Sequence, residues 1–158
     1  IYTIGLHIRS SSHYNLENKY TTNKKLDNFI EKINNINKPN NFKLFIATSN
    51  LNIIKKLSNY FGKERIFYID TLRENTTINE KNNYEYLNND WTKNNFNKNI
   101  NKYGILKYYM DVYLDIILLS KCNLIIGGPS NVFFNALILN CNNKYYIPNI
   151  FKIENKMK

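Results

Sequence analysis

Four groups of residues carry side chains or backbone suited to chemistry. His7 and Arg9 stand two apart in Ile1–Arg9, so on a strand they leave the same face about 7 Å apart. Arg9, at the exit of that segment, suits a bidentate grip on phosphate. A salt bridge for Arg9 and a hydrogen-bonded core position for His7 are the structural alternatives. Asp115 lies among Tyr113, Leu114, Ile116, Ile117, Leu118 and Leu119. A carboxylate buried there costs several kcal/mol unless it is paired or hydrogen-bonded. It is either a cap or partner of a lysine, or an acceptor for ligand N–H donors such as a guanine edge. Gly127-Gly128-Pro129-Ser130-Asn131 follows an apolar run and opens a helix. Backbone N–H groups and the helix dipole at such a turn attract phosphate, and Ser130 and Asn131 add donors. An ordinary strand-to-helix turn has the same sequence.

The elements that must position these groups are legible in the hydrophobic pattern. Ile1–Arg9 alternates, with Ile4, Leu6 and Ile8 on one face, and predicts a strand. Lys24–Ile36 carries Leu26, Phe29, Ile30 and Ile33 at helical spacing, ended by Lys38-Pro39-Asn40. Phe42–Thr48 is a short apolar run, the mark of a strand buried on both faces. Asn50–Phe61 predicts a helix with Ile53, Ile54, Leu57 and Tyr60 inward, capped by Asn50 or Ser49 and stopped by Gly62. Arg65–Ile69 predicts a third strand. Asp70–Asn101 is an irregular, Asn-rich excursion. Ile105–Cys122 is apolar on nearly all sides and predicts a deeply buried helix. Asn123–Gly127, Pro129–Asn140 with proline in its first turn, and Lys144–Pro148 complete the series as strand, helix and strand.

Strands alternating with helices imply parallel pairing through right-handed crossovers, hence a Rossmann-like doubly wound α/β sheet. Ligands bind such sheets beyond the carboxyl ends of the strands. Arg9, Thr48 to Asn50, Asp70 and Gly127 to Asn131 all fall at those ends.

At 158 residues the chain suits one domain with its own core. It opens at Ile1 inside a strand pattern, without an initiator Met, signal peptide or bilayer-length apolar run, and reads as an excised domain with no membrane contact of its own. Asn, Lys, Ile and Tyr dominate, the bias that AT-rich coding produces. The net charge of +10 raises nucleic-acid binding. However, the lysines are scattered, the arginines are only Arg9, Arg65 and Arg73, and a solvated exterior that attracts an anionic nucleotide fits better. Cys122 and Cys141 lack metal-ligand spacing, and neither CxxC nor HExxH occurs. Cys122 reads as a small core residue. GxGxxG and Walker loops are missing too, which disfavours NAD enzymes and P-loop ATPases.

IGLHIRS at Ile4–Ser10, FIATSN at Phe45–Asn50 and LDIILLSKCNLIIGGPSNVFF at Leu114–Phe134 together resemble three motifs of the fucosyltransferase superfamily. The likeness is to α-1,6-fucosyltransferases and nodulation fucosyltransferases. It implies the C-terminal, nucleotide-sugar-binding domain of a GT-B fold, with the acceptor-side domain upstream of this chain. It implies inverting transfer of fucose from GDP-fucose to a glycan or glycoprotein, with no cofactor and no metal ion; the chain carries no DxD motif. By the same resemblance His7 lies against guanine, Arg9 binds the β-phosphate, Asp115 accepts the guanine N–H groups, and the Ser130–Asn131 turn holds the diphosphate. Eukaryotic members of the family would place it in the secretory pathway, although no segment of the chain addresses it there.

The chain departs from the family pattern at informative places. The family's HxRR and its following acidic residue become Arg9 followed by Ser10, Ser11 and Ser12. Loss of the second arginine removes positive charge from the leaving diphosphate. Ser49-Asn50 replaces an acidic pair. Glu17, with His13 nearby, stands at about the spacing of a family carboxylate implicated as base, and is otherwise a surface glutamate. A non-catalytic nucleotide- or glycan-binding relic of the fold is the alternative, and a basic nucleic-acid-binding domain is a more distant one.

Overall fold

The computed structural model describes residues 1–8, 22–48, 50–70, 105–140 and 144–147. The expected excursion at 70–101 lies outside them beyond Asp70, as do Arg9, Glu17, Ser49 and Cys141.

Five strands form one sheet: β1 (Thr3–His7), β2 (Lys43–Ala47), β3 (Ile66–Phe67), β4 (Leu124–Gly127) and β5 (Lys144–Tyr146). The order is β3–β2–β1–β4–β5 and every neighbouring pair is parallel. Among the described residues four helices flank it: α1 (Thr22–Asn35), α2 (Leu51–Phe61), α3 (Ile105–Ser120) and α4 (Asn131–Leu139). This is the α/β Rossmann-like arrangement the pattern predicts.

Alternation along the strands divides the core. Ile4, Leu6, Ile8, Leu44, Ile46, Leu124 and Ile126 pack with Leu26, Phe29 and Ile33 of α1 and Ile53, Ile54 and Leu57 of α2. On the other face Phe45, Ala47 and Ile125 pack with Leu119, Cys122, Phe133 and Ala136, from or beside α3 and α4. Gly5 is what lets α3 lie this close. A Cβ there would stand 2.9 Å from Leu119 Cδ2 and 3.0 Å from Cys122 Sγ.

Local chemistry sets the boundaries. Asn50 caps α2, its Oδ1 accepting from the Asn52 N–H at 2.9 Å, and Gly62 ends the helix at φ 93°, where a side chain would be strained. A 3-10 turn at Lys63–Arg65 takes the first residue of the expected third strand, and β3 itself ends at Phe67, before Tyr68 and Ile69. Asn123 pins the start of β4 to β1: its N–H donates to Thr3 O and its Oδ1 accepts from Thr3 N–H, both at 2.8 Å. Ile8 N–H still donates to Ala47 O at 3.1 Å, so pairing runs one residue past His7.

Three expectations are corrected. The helix expected over Ile105–Cys122 ends at Ser120 and is not deeply buried: Leu106 is 74% exposed, and Tyr109, Met110, Tyr113, Leu114 and Leu118 are exposed with it. It is one layer over the sheet, so only one stripe, including Leu119 and Ser120, is covered. Tyr60 also faces outward, its hydroxyl accepting from Asn34 Nδ2 at 2.8 Å, because a phenol needs a polar partner that the core lacks. Pro129 lies outside α4. Ser130, extended at φ −162° and ψ 159°, takes the cap position and Asn131 begins the helix.

Candidate functional site

The sheet reverses direction of growth between β1 and β4: β2 and β3 add on one side, and β4 and β5 on the other. In open α/β sheets ligands bind at such a switch point, beyond the carboxyl ends of the strands. His7 ends β1, Gly127 ends β4, and the two are partners in the ladder. The Asn123–Thr3 bonds at the opposite end hold this register.

His7 is 8% exposed, its imidazole on the α3/α4 side of the sheet. Its Nδ1 lies 3.2 Å from Ser130 Oγ. Ser130 is simultaneously the α4 cap, Oγ accepting from Phe133 N–H at 3.1 Å, and Phe134 N–H donates to Ser130 O at 2.9 Å. Helix geometry leaves the Asn131 and Val132 N–H groups without an intrahelical acceptor, and they carry the positive end of the α4 dipole. Asn131 is exposed at this end, its carbonyl accepting from Asn135 Nδ2 at 2.8 Å. An anion placed here would meet backbone donors, an amide and a partly buried imidazole.

The turn closes tightly because Gly127 has no side chain. A Cβ there would stand 2.5 Å from Phe133 Cδ2 and 3.1 Å from His7 Cβ. Phe133, fully buried, fills that space from the first turn of α4. On the neighbouring strand Thr48 and Asn50 are buried at the carboxyl edge, but their side chains serve the local turn: Thr48 Oγ1 accepts from Asn50 N–H at 3.3 Å.

Asp115 reaches the same level by a different route. Leu119 lies against Gly5, and α3 runs opposite to the strands because it leads into the start of β4. One turn back from Leu119, about 6 Å, is Asp115. Two residues on from Gly5, about 6.6 Å, is His7. Asp115 therefore stands at the height of His7 over the same face of the sheet. The residue is half-buried and its Oδ1 is closed off from solvent. Asp111, one turn further out, pairs with Lys107 at 3.3 Å.

His7, Ser130 and Asn131 are thus brought to one edge, with Asp115 at their height. Arg9 and Glu17 fall outside the described residues, Arg9 two positions past His7 in sequence. The anchoring of α3 by Leu119 is a part of the site that pattern reading misses; its one signal is Gly5, a residue without a side chain inside a strand. Among the described residues no cluster of three or more metal-ligating side chains occurs, and no helix is long and apolar enough to cross a membrane. Part of the positive charge is internal stitching. Lys38 Nζ donates to the Asn34 and Ile36 carbonyls, Lys43 Nζ to Glu64 O, and Arg65 to Asn40 O.

No family model and no curated protein matches the chain. Solved structures do. NodZ alpha-1,6-fucosyltransferase co-crystallized with GDP matches at 17% identity and TM-score 0.52, over 88% of this chain and 36% of that one. The same enzyme soaked with GDP-fucose matches at 19% and TM-score 0.51, over 87% and 35%. Fucosyltransferase NodZ from Bradyrhizobium matches at 18% and TM-score 0.51, over 88% and 36%. This chain spans about a third of their length. At that identity the likeness carries the fold: the chain has the α/β architecture of part of a fucosyltransferase.

Proposed function

We propose that the chain is the donor-binding half of a glycosyltransferase that moves fucose from GDP-fucose to a glycan or protein acceptor. The observation that carries this reading is the meeting of His7 and the Ser130–Asn131 turn at the β1/β4 switch point of a fold like that of enzymes solved with GDP and GDP-fucose. In this assignment the α4 N-terminus and Asn131 face the diphosphate, His7 and Asp115 flank the guanine, and Arg9 neutralises the β-phosphate. Asp115, a carboxylate at the height of His7, suits paired guanine N–H donors. Transfer is inverting, with the charge of the leaving GDP met by protein donors and without a metal ion. The acceptor groove is shared with an upstream acceptor-side domain, and Glu17 is the proposed base.

A second reading is favoured by one sequence fact: Ser10 stands where the family carries its second arginine. With that charge gone, a module that binds the nucleotide without turning it over has the same donor site. Fucosyl transfer from labelled GDP-fucose by the protein together with its acceptor-side half separates the two. Release of GDP coupled to a glycosylated product supports the enzyme; saturable GDP-fucose binding with no turnover assigns the module.

A further inference from the structure

We propose that the outer face of the α3–α4 layer docks a second copy of this chain, giving a two-fold symmetric dimer. The inference is independent of the donor-site reading and rests on burial, area and charge.

The two faces of the sheet are covered by helices of different character. On the α1/α2 side the outward positions are polar: Asp27, Glu31, Lys55, Lys56 and Asn59 are exposed, and the exposed Tyr60 is hydrogen-bonded to Asn34. On the α3/α4 side they are apolar. Leu106, Met110 and Tyr113 follow the i, i+4, i+7 spacing of one exposed stripe of α3, on the side away from Leu119 and Gly5. In α4, Phe134 is 46% and Ile138 75% exposed, with Leu139 exposed beside them, while Phe133 and Ala136 are buried. Both helices run opposite to the strands and pack against each other, so their outer stripes form one face. A helix layer left in water carries polar residues outward, as α1 and α2 do.

The large apolar side chains of this face expose on the order of 1,000 Å². The largest apolar patch on a typical monomer is roughly 300–600 Å², and each partner gives roughly 800 Å² to a stable interface. Charge selects the occupant. The chain carries +10, so two copies repel when they approach through surfaces such as that of Lys55 and Lys56 on α2. In contrast, α4 has no charged residue, and on α3 Lys107 is paired with Asp111 at 3.3 Å. The face is therefore near neutral, and it is the same on both copies, as an isologous contact requires. An anionic lipid surface calls for unpaired cations around the apolar residues, which α3 and α4 do not supply.

Sedimentation equilibrium of the 158-residue chain over about 1–100 μM tests the proposal. The expected result is reversible association to twice the 18.8 kDa of one chain, with a dissociation constant at or below the micromolar range. The dimer should persist at about 1 M salt, which screens charge pairs but not apolar contact. Met110→Glu and Ile138→Glu change exposed positions that the monomer's fold tolerates. Each should weaken association by about tenfold or more, because it places a charge inside the contact. Asn59→Glu makes the same change of charge on the opposite side of the sheet and should leave association unaltered. Circular dichroism checks that each variant is folded. A chain that stays monomeric at about 100 μM overturns the proposal. So does a dimer that neither Met110→Glu nor Ile138→Glu weakens, or one that Asn59→Glu weakens equally. A monomer that floats with vesicles of phosphatidylcholine and phosphatidylserine also overturns it and assigns the face to a lipid surface.

Discussion

His7 and Gly127, 120 residues apart, are the last paired residues of two adjacent parallel strands, and Phe133 of α4 occupies the space a side chain on Gly127 would need. The site is built around that missing side chain. Gly127→Ala would drive a methyl group to within 2.5 Å of a fully buried ring, and packed cores yield to such overfilling only at a cost. The variant should lose about 1–3 kcal/mol of stability by denaturant unfolding. It should also lose GDP affinity at temperatures where it remains folded, because Phe133 carries the turn with it. Native stability and binding would refute the packing account.

Asp115→Asn tests the base-recognition assignment. A carboxylate accepts two N–H donors of guanine, whereas an amide offers one acceptor and turns a donor toward the second position. Preference for GDP over UDP and ADP should fall by roughly tenfold to a hundredfold, the worth of a charge-assisted hydrogen bond. Competition titration reads this directly. Unchanged selectivity would remove Asp115 from the base site.

Cys122 gives a readout of α3 docking. It carries a free thiol, buried between β1 and the end of α3, and burial pushes its pKa from 9.0 up to about 12. Thiolate is the reactive form, so iodoacetamide at about pH 8 should leave Cys122 unmodified in the folded chain and alkylate it on unfolding. The raised folded-state value also means that the protonated thiol favours the native state below pH 9.0. That contribution declines as pH rises toward about 12. Rapid labelling of the native protein would show that α3 does not lie against Gly5.

Much of this fold is written locally. Period-two apolar residues in Ile4–Ile8, the Asn50 cap and the Gly62 stop give the same elements in sequence and structure, because each depends on neighbours within a few positions. The parallel order follows from strand–helix alternation. The exposure of the outer face of α3 is not legible in the sequence, because an all-round apolar helix can be covered on both sides or on one, and Leu106 or Tyr113 looks the same in either case. Pro129 misplaced the start of α4, since a proline in front of a cap and a proline at the first helical position differ only in whether Ser130 turns extended. His7 and the Ser130 turn are each visible as oddities. Their hydrogen bond depends on strand order and on the Asn123–Thr3 register, and no local pattern encodes it.

Calorimetric titration of the 158-residue chain with GDP, with UDP, ADP and a short DNA duplex alongside at physiological salt, tests the donor-site claim most directly. The account predicts saturable binding selective for GDP. Arg9→Ala should weaken it at least tenfold, the loss of a charge-assisted phosphate contact, with little change in the apo Tm. A folded chain that ignores GDP, takes UDP and ADP equally well, or binds the duplex in its place would contradict it.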